Sequence, residues 1–556
     1  MKRYTQEFKI KQILDKIEEG QFAVPQLQRN YVWDQKKIKY FIDSIFKGLP
    51  IGIITIWKTN KKNRKIMKKN HELLPPFLES NDEIWFVLDG QQRLATLYSL
   101  IKGEERTAKL KKKEIKINFK FFTIDLAKSH KNDQQDYLKY QKIGKSDWVS
   151  LGQIISKRNG GIDKKKKRLR KKASQIKSNF NNYIIPFLFI ETTKREEAVE
   201  SFVRINKAGK PLEKADIIIA TAFSFDIRNH IEETQAKIKL NDPAYGKIDE
   251  NILIHGLSYV EGNENFDQTS LKRWIKQKEL DIKKNKKEVE RYGRQYKGFE
   301  RALLNAIDYL KKNFNVYKKD LLSYENMLLP VTLYFYRNKI ARPKKEHKKS
   351  VEKWFWTAAF TGRYGGRKYH EYFKPDLKQF YNLGNGGKKH ITINGEIKKA
   401  LLNDESYKYS NTAIAKGLYL MLLKKGPKSL VNGEKIQLNY IIARDNRKNL
   451  HHIYPDKALY RRGVKTDIRH NYGNICIQSE NDNIRISDKL PAIYLTENLE
   501  DQRTRNAAMK SNLISDDYVY EKKKIKKKYK LFLENRWALI EREIRRLSQN
   551  AVTISA

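Results

Sequence analysis

The apolar stretches of this chain are short, and their length limits what the chain can fold into. The longest are IGIITIW at 51–57 and YIIPFLFI at 183–190, which cover seven and eight residues. A helix that crosses a bilayer needs about 20 apolar residues, so neither stretch could span a membrane. Short runs that are rich in β-branched and aromatic residues and stand beside turn residues are typical of buried strands. The sequence therefore predicts strands at 51–57, 84–88 and 183–190.

Helical periodicity alternates with these strands in the first part of the chain. Directly after the turn Asp89-Gly90, apolar residues recur at spacings of three and four, which predicts a helix. The residues of this set are Leu94, Leu97, Tyr98 and Ile101. A further helix is predicted at 195–204. Residues 1–20 also predict an amphipathic helix, and because they lack the apolar segment of a signal peptide we expect a protein of the bacterial cytoplasm.

From about residue 226 the pattern becomes mostly helical. One amphipathic set lies at 302–310 and another at 351–360. The second set contains Trp354, Phe355 and Trp356. An aromatic cluster at helical spacing is more often part of a core than a platform for stacking bases, and we interpret it as core.

The pattern changes again after a glycine-rich break at 384–387. Beyond about residue 430 come a strand-like run at 438–442, a histidine pair and several asparagines, and a final helix carries the apolar residues from Trp537 to Leu547. The fold class predicted from these changes is multidomain α+β. Its parts are an α/β part at 1–225, a helical connector at 226–400 and a compact part with a C-terminal helix at 401–556.

Positive charge is in large excess. Lys and Arg outnumber Asp and Glu by 115 to 65, which gives a formal net charge of +50. Repulsion of this size is usually tolerated because the partner is a polyanion, and nucleic acid is the leading candidate. Basic tracts at 109–113, 164–172 and 522–530 would contact phosphates without reading sequence. The alternative is an AT-biased genome that enriches lysine, with each tract a solvated surface. The single cysteine, Cys476, excludes a disulfide framework.

The first candidate site is the strand–turn–helix IWFVLDGQQRLATLYSLI at 84–101. Backbone donors and the helix dipole at the start of the helix attract a phosphate, and Arg93 would add charge-assisted donors. Asp89 could hold a cation or polarise a water. From these residues alone, a capped and buried helix start is an equally good interpretation.

Two neighbouring blocks accompany this turn. VPQLQRNYVW at 24–33 precedes a helix that ends in DSIFKGLPIGIITIW at 43–57, and FVRINKAGKPL follows at 202–212. Together these motifs resemble the DGQQR-motif domain of GmrSD-type, modification-dependent (type IV) restriction endonucleases. That domain is a distant relative of the ParB nuclease-like fold, and the resemblance covers about residues 5–225.

The resemblance implies nucleotide binding and hydrolysis coupled to DNA engagement. The positions that match the family's nucleotide-site motifs are Arg29, Asp89, Gly90, Gln91, Gln92, Arg93, Arg204 and Asn206. It also implies that Pro25, Gln28 and Arg29 lie near a pocket that senses modified DNA. Leu27 stands where the family more usually has an aromatic residue, so the resemblance does not define the modification.

The second candidate site is a histidine pair in NLHHIYP at 449–455, followed by NYGNICI at 471–477 and NDNI at 481–484. Hydrolysis of a phosphodiester needs a base that deprotonates water and a cation that stabilises charge on the phosphate. Adjacent residues on a strand point in opposite directions, so one imidazole could bind a metal while its neighbour faces the water. An amide oxygen could complete a site for a hard cation. The alternative is a histidine pair in an ordinary hairpin.

This string of motifs resembles the ββα-metal, or HNH (His-Me finger), nuclease domain that is C-terminal in the GmrSD family. The resemblance implies that His452 is the general base, His451 a ligand of Mg²⁺ or Mn²⁺, and Asn474 a residue that orients the base. Asn483 would be the second ligand, with Asn481 as its rival. Asp445 or Asp456 would hydrogen-bond to a metal ligand and not bind the metal itself.

The resemblances together predict an endonuclease that requires a metal, is regulated by an NTP, and cleaves foreign, modified phage DNA in antiphage defence. Its partners would be double-stranded DNA and a nucleotide, with no membrane; a homo-oligomer is compatible with the sequence. Three alternatives stay open. They are a ParB-like, NTP-switched DNA-binding protein with an inert HNH motif, an HNH-type ribonuclease toxin, and a structural scaffold whose charge reflects genome composition.

Overall fold

In the computed structural model the chain forms two compact units. The first comprises Met1–Arg228 with Ile275–Leu280, and the second Asn229–Trp274 with Asp281–Ala556. The three-part division at 225 and 400 stays a prediction. The structure describes residues 1–25, 28, 31–67, 74–78, 81–109, 114–127, 137–142, 148–156, 167–207, 227–285, 287–339, 342–385, 390–403, 412–437, 450–517, 519–520 and 523–555.

The first unit mixes strands and helices, as predicted. Its described strands are β1 Lys2–Lys9, β2 Phe22–Ala23, β3 Ile54–Asn60, β4 Glu83–Asp89, β5 Glu105–Lys109, β6 Glu114–Asn118, β7 Phe122–Asp125, β8 Leu138–Tyr140, β9 Trp148–Ser150 and β10 Ile184–Glu191. Its described helices are α1 Ile10–Glu18, α2 Gln35–Lys47, α3 Gln91–Lys102, α4 Leu151–Ile155, α5 Lys167–Asn182 and α6 Arg195–Lys207. The predicted helices after Gly90 and at 195–204 are confirmed as α3 and α6.

A five-stranded mixed sheet in the order β1-β10-β3-β4-β2 forms the centre of this unit. β10 runs parallel to β3 and β4 parallel to β2, whereas the other neighbours are antiparallel. Both faces are covered: Ile56 and Val87 lie in one apolar core, while Trp57 and Phe86 lie in the core that includes Phe202 of α6. A sheet that is buried on both faces accounts for the continuous apolar runs of β3, β4 and β10.

The N-terminal helix predicted for residues 1–20 is wrong over its first half, because residues 2–9 form the edge strand β1. Two side chains on one face of this strand contact β10: Tyr4 stacks on Phe189 at a centroid distance of 5.1 Å, and Phe8 meets the edge of Phe187 at 5.0 Å. Its backbone pairs with β10, and the mixed charges along this segment give no sign of that pairing. Only Ile10–Glu18 is helical.

From residue 227 onward the predicted, mostly helical pattern is confirmed. The described helices from residue 227 onward are α7 Ile227–Asn241, α8 Glu250–Val260, α9 Gln268–Lys284, α10 Lys287–Phe314, α11 Leu328–Asn338, α12 Lys345–Phe360, α13 Gly366–Gly384, α14 Lys399–Asn403, α15 Ala413–Lys424, α16 Asp456–Tyr460, α17 Thr466–Arg469, α18 Glu480–Ile486, α19 Pro491–Asn498, α20 Gln502–Ser511 and α21 Ile525–Leu547. No described helix is long and apolar enough to cross a membrane.

The aromatic cluster of α12 is core, as interpreted from the sequence. Trp354, Phe355 and Trp356 are at most 1% exposed. The indole of Trp354 donates to Asp376 at 3.0 Å, and the same carboxylate receives two hydrogen bonds of 2.7 Å from Arg363. Arg363 is therefore part of a buried ion pair and is not available for phosphate contact.

Two short sheets complete the second unit. β11 Gly395–Lys398 pairs in parallel with β14 Val552–Ser555, and β12 Leu450–His452 pairs antiparallel with β13 Ile475–Ile477. α18 follows β13 after two residues, so the histidine pair lies in a strand–strand–helix unit. An apolar core with Tyr454 and Phe532 packs this unit against α21. The strand-like run at 438–442 lies outside the described residues.

Candidate functional sites

The turn between β4 and α3 requires a glycine at position 90. Gly90 has φ = +96°, and a Cβ at this position would lie 2.8 Å from the Ile54 side chain. The α3 helix therefore begins without a side-chain cap. Its first backbone N–H groups have no carbonyl partner within the helix, which is the feature that attracts anions to helix starts.

Arg93 is held by internal bonds beside this turn. Its Nη1 donates to the Ile51 carbonyl at 2.8 Å, and its Nη2 donates to the Ile53 carbonyl at 2.9 Å and to Asp89 Oδ2 at 2.8 Å. Burial lowers the pKa of Arg93, and Asp89 opposes this effect. Because these carbonyls bond to the guanidinium, β3 begins at Ile54, three residues later than predicted. Arg93 thus fastens the segment before β3 to the turn.

The segment around residue 28 is fixed to the same strand and helix. The Gln28 amide donates to the carbonyls of Val87 and Leu88 at 2.9 and 2.6 Å, and the backbone N–H of Val32 donates to Gln92 Oε1 at 2.8 Å. Gln91 is buried beside them, 4% exposed. The structure therefore brings the block at 24–33 and the strand–turn–helix at 84–101 together around the turn.

Of the remaining predicted site residues of the first unit, Pro25 and Arg204 have described side chains. Pro25 is buried and forms an isolated bridge with Met67. Arg204 lies on the exposed side of α6 and bonds to Glu200 at 2.6 Å. Asn206 lies near the end of α6, with its side chain outside the described part, and Arg29 is also outside the described residues.

In the second unit, Asn474 lies at the end of the segment that connects the short strands β12 and β13. It is fully buried; its Oδ1 accepts from the Tyr454 N–H at 2.9 Å, and its Nδ2 donates to the carbonyls of Tyr454 and Arg469 at 3.0 and 3.2 Å. Two of these bonds hold the backbone of Tyr454, two residues after His452, and the third joins it to Arg469. Asn474 therefore sets the position of the histidine strand through the main chain.

The imidazole of His451 is buried, 4% exposed, opposite Cys476 of β13. Among the described residues its Nε2 has no hydrogen-bond partner. Burial lowers the pKa of His451 to about 4, while the nearby Asn483 side chain and the charge of Asp482 oppose this effect. A neutral imidazole with a nitrogen lacking a partner, beside an amide and a carboxylate, fits the donor set of a divalent cation.

Asn483 lies against His451, whereas Asn481 is exposed two residues earlier on α18. In the described part of the chain, no group of three or more His, Cys, Asp or Glu side chains is arranged to hold a metal ion. A cation held here would therefore need an amide oxygen among its ligands; hard cations accept amide oxygens, which carry no charge.

His452 faces a different set of groups. Its Nε2 lies 3.2 Å from Nδ1 of His470, and Nε2 of His470 lies 3.6 Å from Asp456 Oδ1. Arg469 donates to the same carboxylate oxygen at 2.7 Å. Burial, followed by the nearby His470 and His451, lowers the pKa of His452 to about 4, and Asp456 acts in the opposite sense.

His470 is a residue that the sequence interpretation missed. It directly precedes the NYGNICI block, and it is 6% exposed. A histidine just before that block was the available signal. Asp456, which the sequence suggested as a group behind the metal ligands, is at the first position of α16, and Asp445 is outside the described residues.

Two similarities to known proteins bear on these sites. Residues 10–223 match the family described as the GmrSD restriction endonuclease N-terminal domain. The chain is also 24% identical over 538 residues to an uncharacterized protein of Methanocaldococcus jannaschii, a match that covers 89% of this chain and 87% of that protein. The first match supports a relationship of the N-terminal part to GmrSD-type restriction endonucleases; the second extends through both units without adding an activity.

Proposed function

We propose that this chain is a GmrSD-type DNA endonuclease that requires a divalent metal, is regulated by a nucleotide and cuts foreign, modified DNA in antiphage defence. The observation that carries the proposal is the arrangement of the histidine pair. On one short strand, His451 lies beside Asn483 with an Nε2 that has no partner among the described residues, while His452 lies beside His470. The N-terminal match to a restriction endonuclease domain supports the same reading.

The chemistry follows from the two environments. His452, part-buried, is neutral at physiological pH because its pKa is lowered, so its ring can accept a proton from the attacking water. His451 and Asn483 would hold Mg²⁺ or Mn²⁺, which when bound stabilises negative charge on the scissile phosphate. Asn474 keeps the strand in place while the proton moves, because its bonds to Tyr454 and Arg469 fix the local backbone.

The turn at Asp89 is the proposed nucleotide site. Support comes from the backbone donors at the start of α3 and from the Asp89 side chain, which is 43% exposed. Gln91 and Gln92 are buried at the same place. Arg93 contributes by keeping the turn and the segment before β3 together, since its guanidinium already bonds to three oxygens.

DNA binding without sequence specificity is proposed for the basic surfaces. Lys526, Lys527 and Lys530 are exposed on α21, and Arg168 and Lys171 are exposed on α5. Contacts of this kind release counterions from the duplex, so binding weakens steeply with salt. A flat response between low and physiological salt would contradict DNA as the partner.

The test is cleavage of matched modified and unmodified duplex DNA with Mg²⁺, with and without NTP, by the wild type and His452→Ala. The set includes glucosylated hydroxymethylcytosine and phosphorothioate DNA, with structured RNA run in parallel. We expect cutting of one modified DNA that changes with NTP and falls at least about 100-fold in the variant, while DNA binding is kept. Cutting of RNA alone would establish a ribonuclease, and binding without any cutting would establish an inert HNH motif.

A further inference from the structure

His470 and Asp456 form a chain of groups behind His452. The three links are 3.2 Å between the imidazoles of His452 and His470, 3.6 Å between His470 and Asp456, and 2.7 Å between Asp456 and Arg469. His470 is 6% exposed, so its ring is held by its surroundings.

The order of these groups determines where the protons lie. An ionised carboxylate only accepts, and Arg469 keeps Asp456 ionised: burial would raise the pKa of Asp456, but the hydrogen bond from Arg469 lowers it below its ordinary value. The carboxylate at 3.6 Å favours a proton on Nε2 of His470 and disfavours a lone pair there. Nδ1 of a neutral His470 is then an acceptor, and Nε2 of His452 must donate to it.

We propose that His470 is a positioning residue which, with Asp456 behind it, holds His452 in the tautomer that carries its proton on Nε2 and its lone pair on Nδ1. The inference deepens the proposed nuclease function, on which it rests, because a general base must present a lone pair to the water. Without the acceptor on His470, the His452 ring populates both tautomers, and in one of them Nδ1 carries a proton and cannot act as the base.

The direct test is the tautomer itself. We would record imidazole ¹⁵N chemical shifts of the full chain at neutral pH with ¹⁵N-labelled histidine and assign His452 from the spectrum of His452→Gln. The expected result is a protonated Nε2 and an unprotonated Nδ1 in the wild type, and a mixture of both tautomers in His470→Leu. A wild-type His452 that carries its proton on Nδ1 would overturn the proposal.

The kinetic test separates positioning from folding. In duplex DNA cleavage with Mg²⁺, His470→Leu should lower kcat by about 10- to 100-fold and leave KM within about twofold, because the residue acts on the base and not on DNA binding. His470→Asn should recover most of kcat, since its Oδ1 replaces Nδ1 as the acceptor. His370→Leu is the matched control, because His370 is exposed on α13.

The outcomes distinguish this proposal from the function beneath it. A wild type that cuts no nucleic acid contradicts the nuclease, and the ¹⁵N shifts still decide the tautomer. A wild type that cuts, with an unchanged kcat in His470→Leu, contradicts positioning while the nuclease stands. If His470→Leu fails to fold, His470→Asn and the wild-type spectrum decide: equal loss of kcat in a folded Asn variant overturns the proposal.

Discussion

The turn at Asp89 and the histidine strand are both candidate sites in the sequence, yet the structure treats them differently. At the turn, Arg93, Gln28 and Gln92 bond to main-chain groups of their own unit. On the histidine strand, Nε2 of His451 is buried with no partner in the described part of the chain. Polar groups that satisfy the backbone maintain a fold, whereas a buried nitrogen without a partner costs stability and is a candidate for ligand binding.

This comparison would be broken most severely if the turn also carried out chemistry, as the proposed nucleotide site requires. Asp89→Ala should lower NTP hydrolysis by at least about 100-fold while nicking of DNA without NTP persists, because Asp89 is proposed to act on the nucleotide only. Phosphate release from the full chain is the measurement. Asp89→Asn keeps a hydrogen bond to Arg93, so retained folding with lost turnover in both variants sharpens the result. Unchanged turnover would show that the turn is a structural cap.

The histidine site is sharpened by comparing two asparagines of α18. Asn483→Ala should lower Mg²⁺-dependent cleavage by about 10- to 100-fold, since its side chain lies against His451. Asn481 is exposed on the same helix, so Asn481→Ala is the matched control and should stay within about twofold. The reverse order of effects would make Asn481 the ligand.

The structural role of Arg93 gives a smaller effect, on stability. Arg93→Met leaves the carbonyls of Ile51 and Ile53 without their donor and should cost about 2–3 kcal/mol in the urea unfolding of the first unit. Arg204→Met is the matched control; Arg204 is exposed and bonds to Glu200, so it should cost less than about 1 kcal/mol. Equal losses in the two variants would contradict the fastening role.

The smallest effect separates backbone strain from close packing at the turn. Gly90→Ala combines a positive φ with a Cβ placed 2.8 Å from Ile54, and we expect a loss of about 2 kcal/mol. Gly48 also has a positive φ, of +68°, but a Cβ there meets nothing within 4 Å. Gly48→Ala should therefore cost about 1 kcal/mol. A larger loss at Gly48 would show that packing against Ile54 is unimportant.

Much of the fold could be predicted because its pattern is local. The strand at 84–88, the helix after Gly90 and the core position of Trp354 follow from periodicity and turn residues. The segment 2–9 could not be assigned, because its strand character comes from pairing with β10 across about 180 residues of sequence.

The candidate site was predictable where residues are adjacent and was missed where they converge. His451, His452 and Asn483 stand in recognisable strings, and the structure brings His451 and Asn483 together. The contact of His452 with His470 depends on the conformation of the segment between β12 and β13, which Asn474 holds. The bonds of Arg93 depend on the path of the chain before β3. Neither of these contacts can be predicted from spacing along the sequence.

The central claim is that the two histidines have separate roles, with His451 at the cation and His452 at the water. The most direct measurement is Mn²⁺ binding to the full chain, detected by electron paramagnetic resonance, in the wild type, His451→Ala and His452→Ala. We predict one site that is lost in His451→Ala and kept in His452→Ala, although neither variant cuts DNA. Loss of the site in both variants, or in neither, would contradict the division of roles.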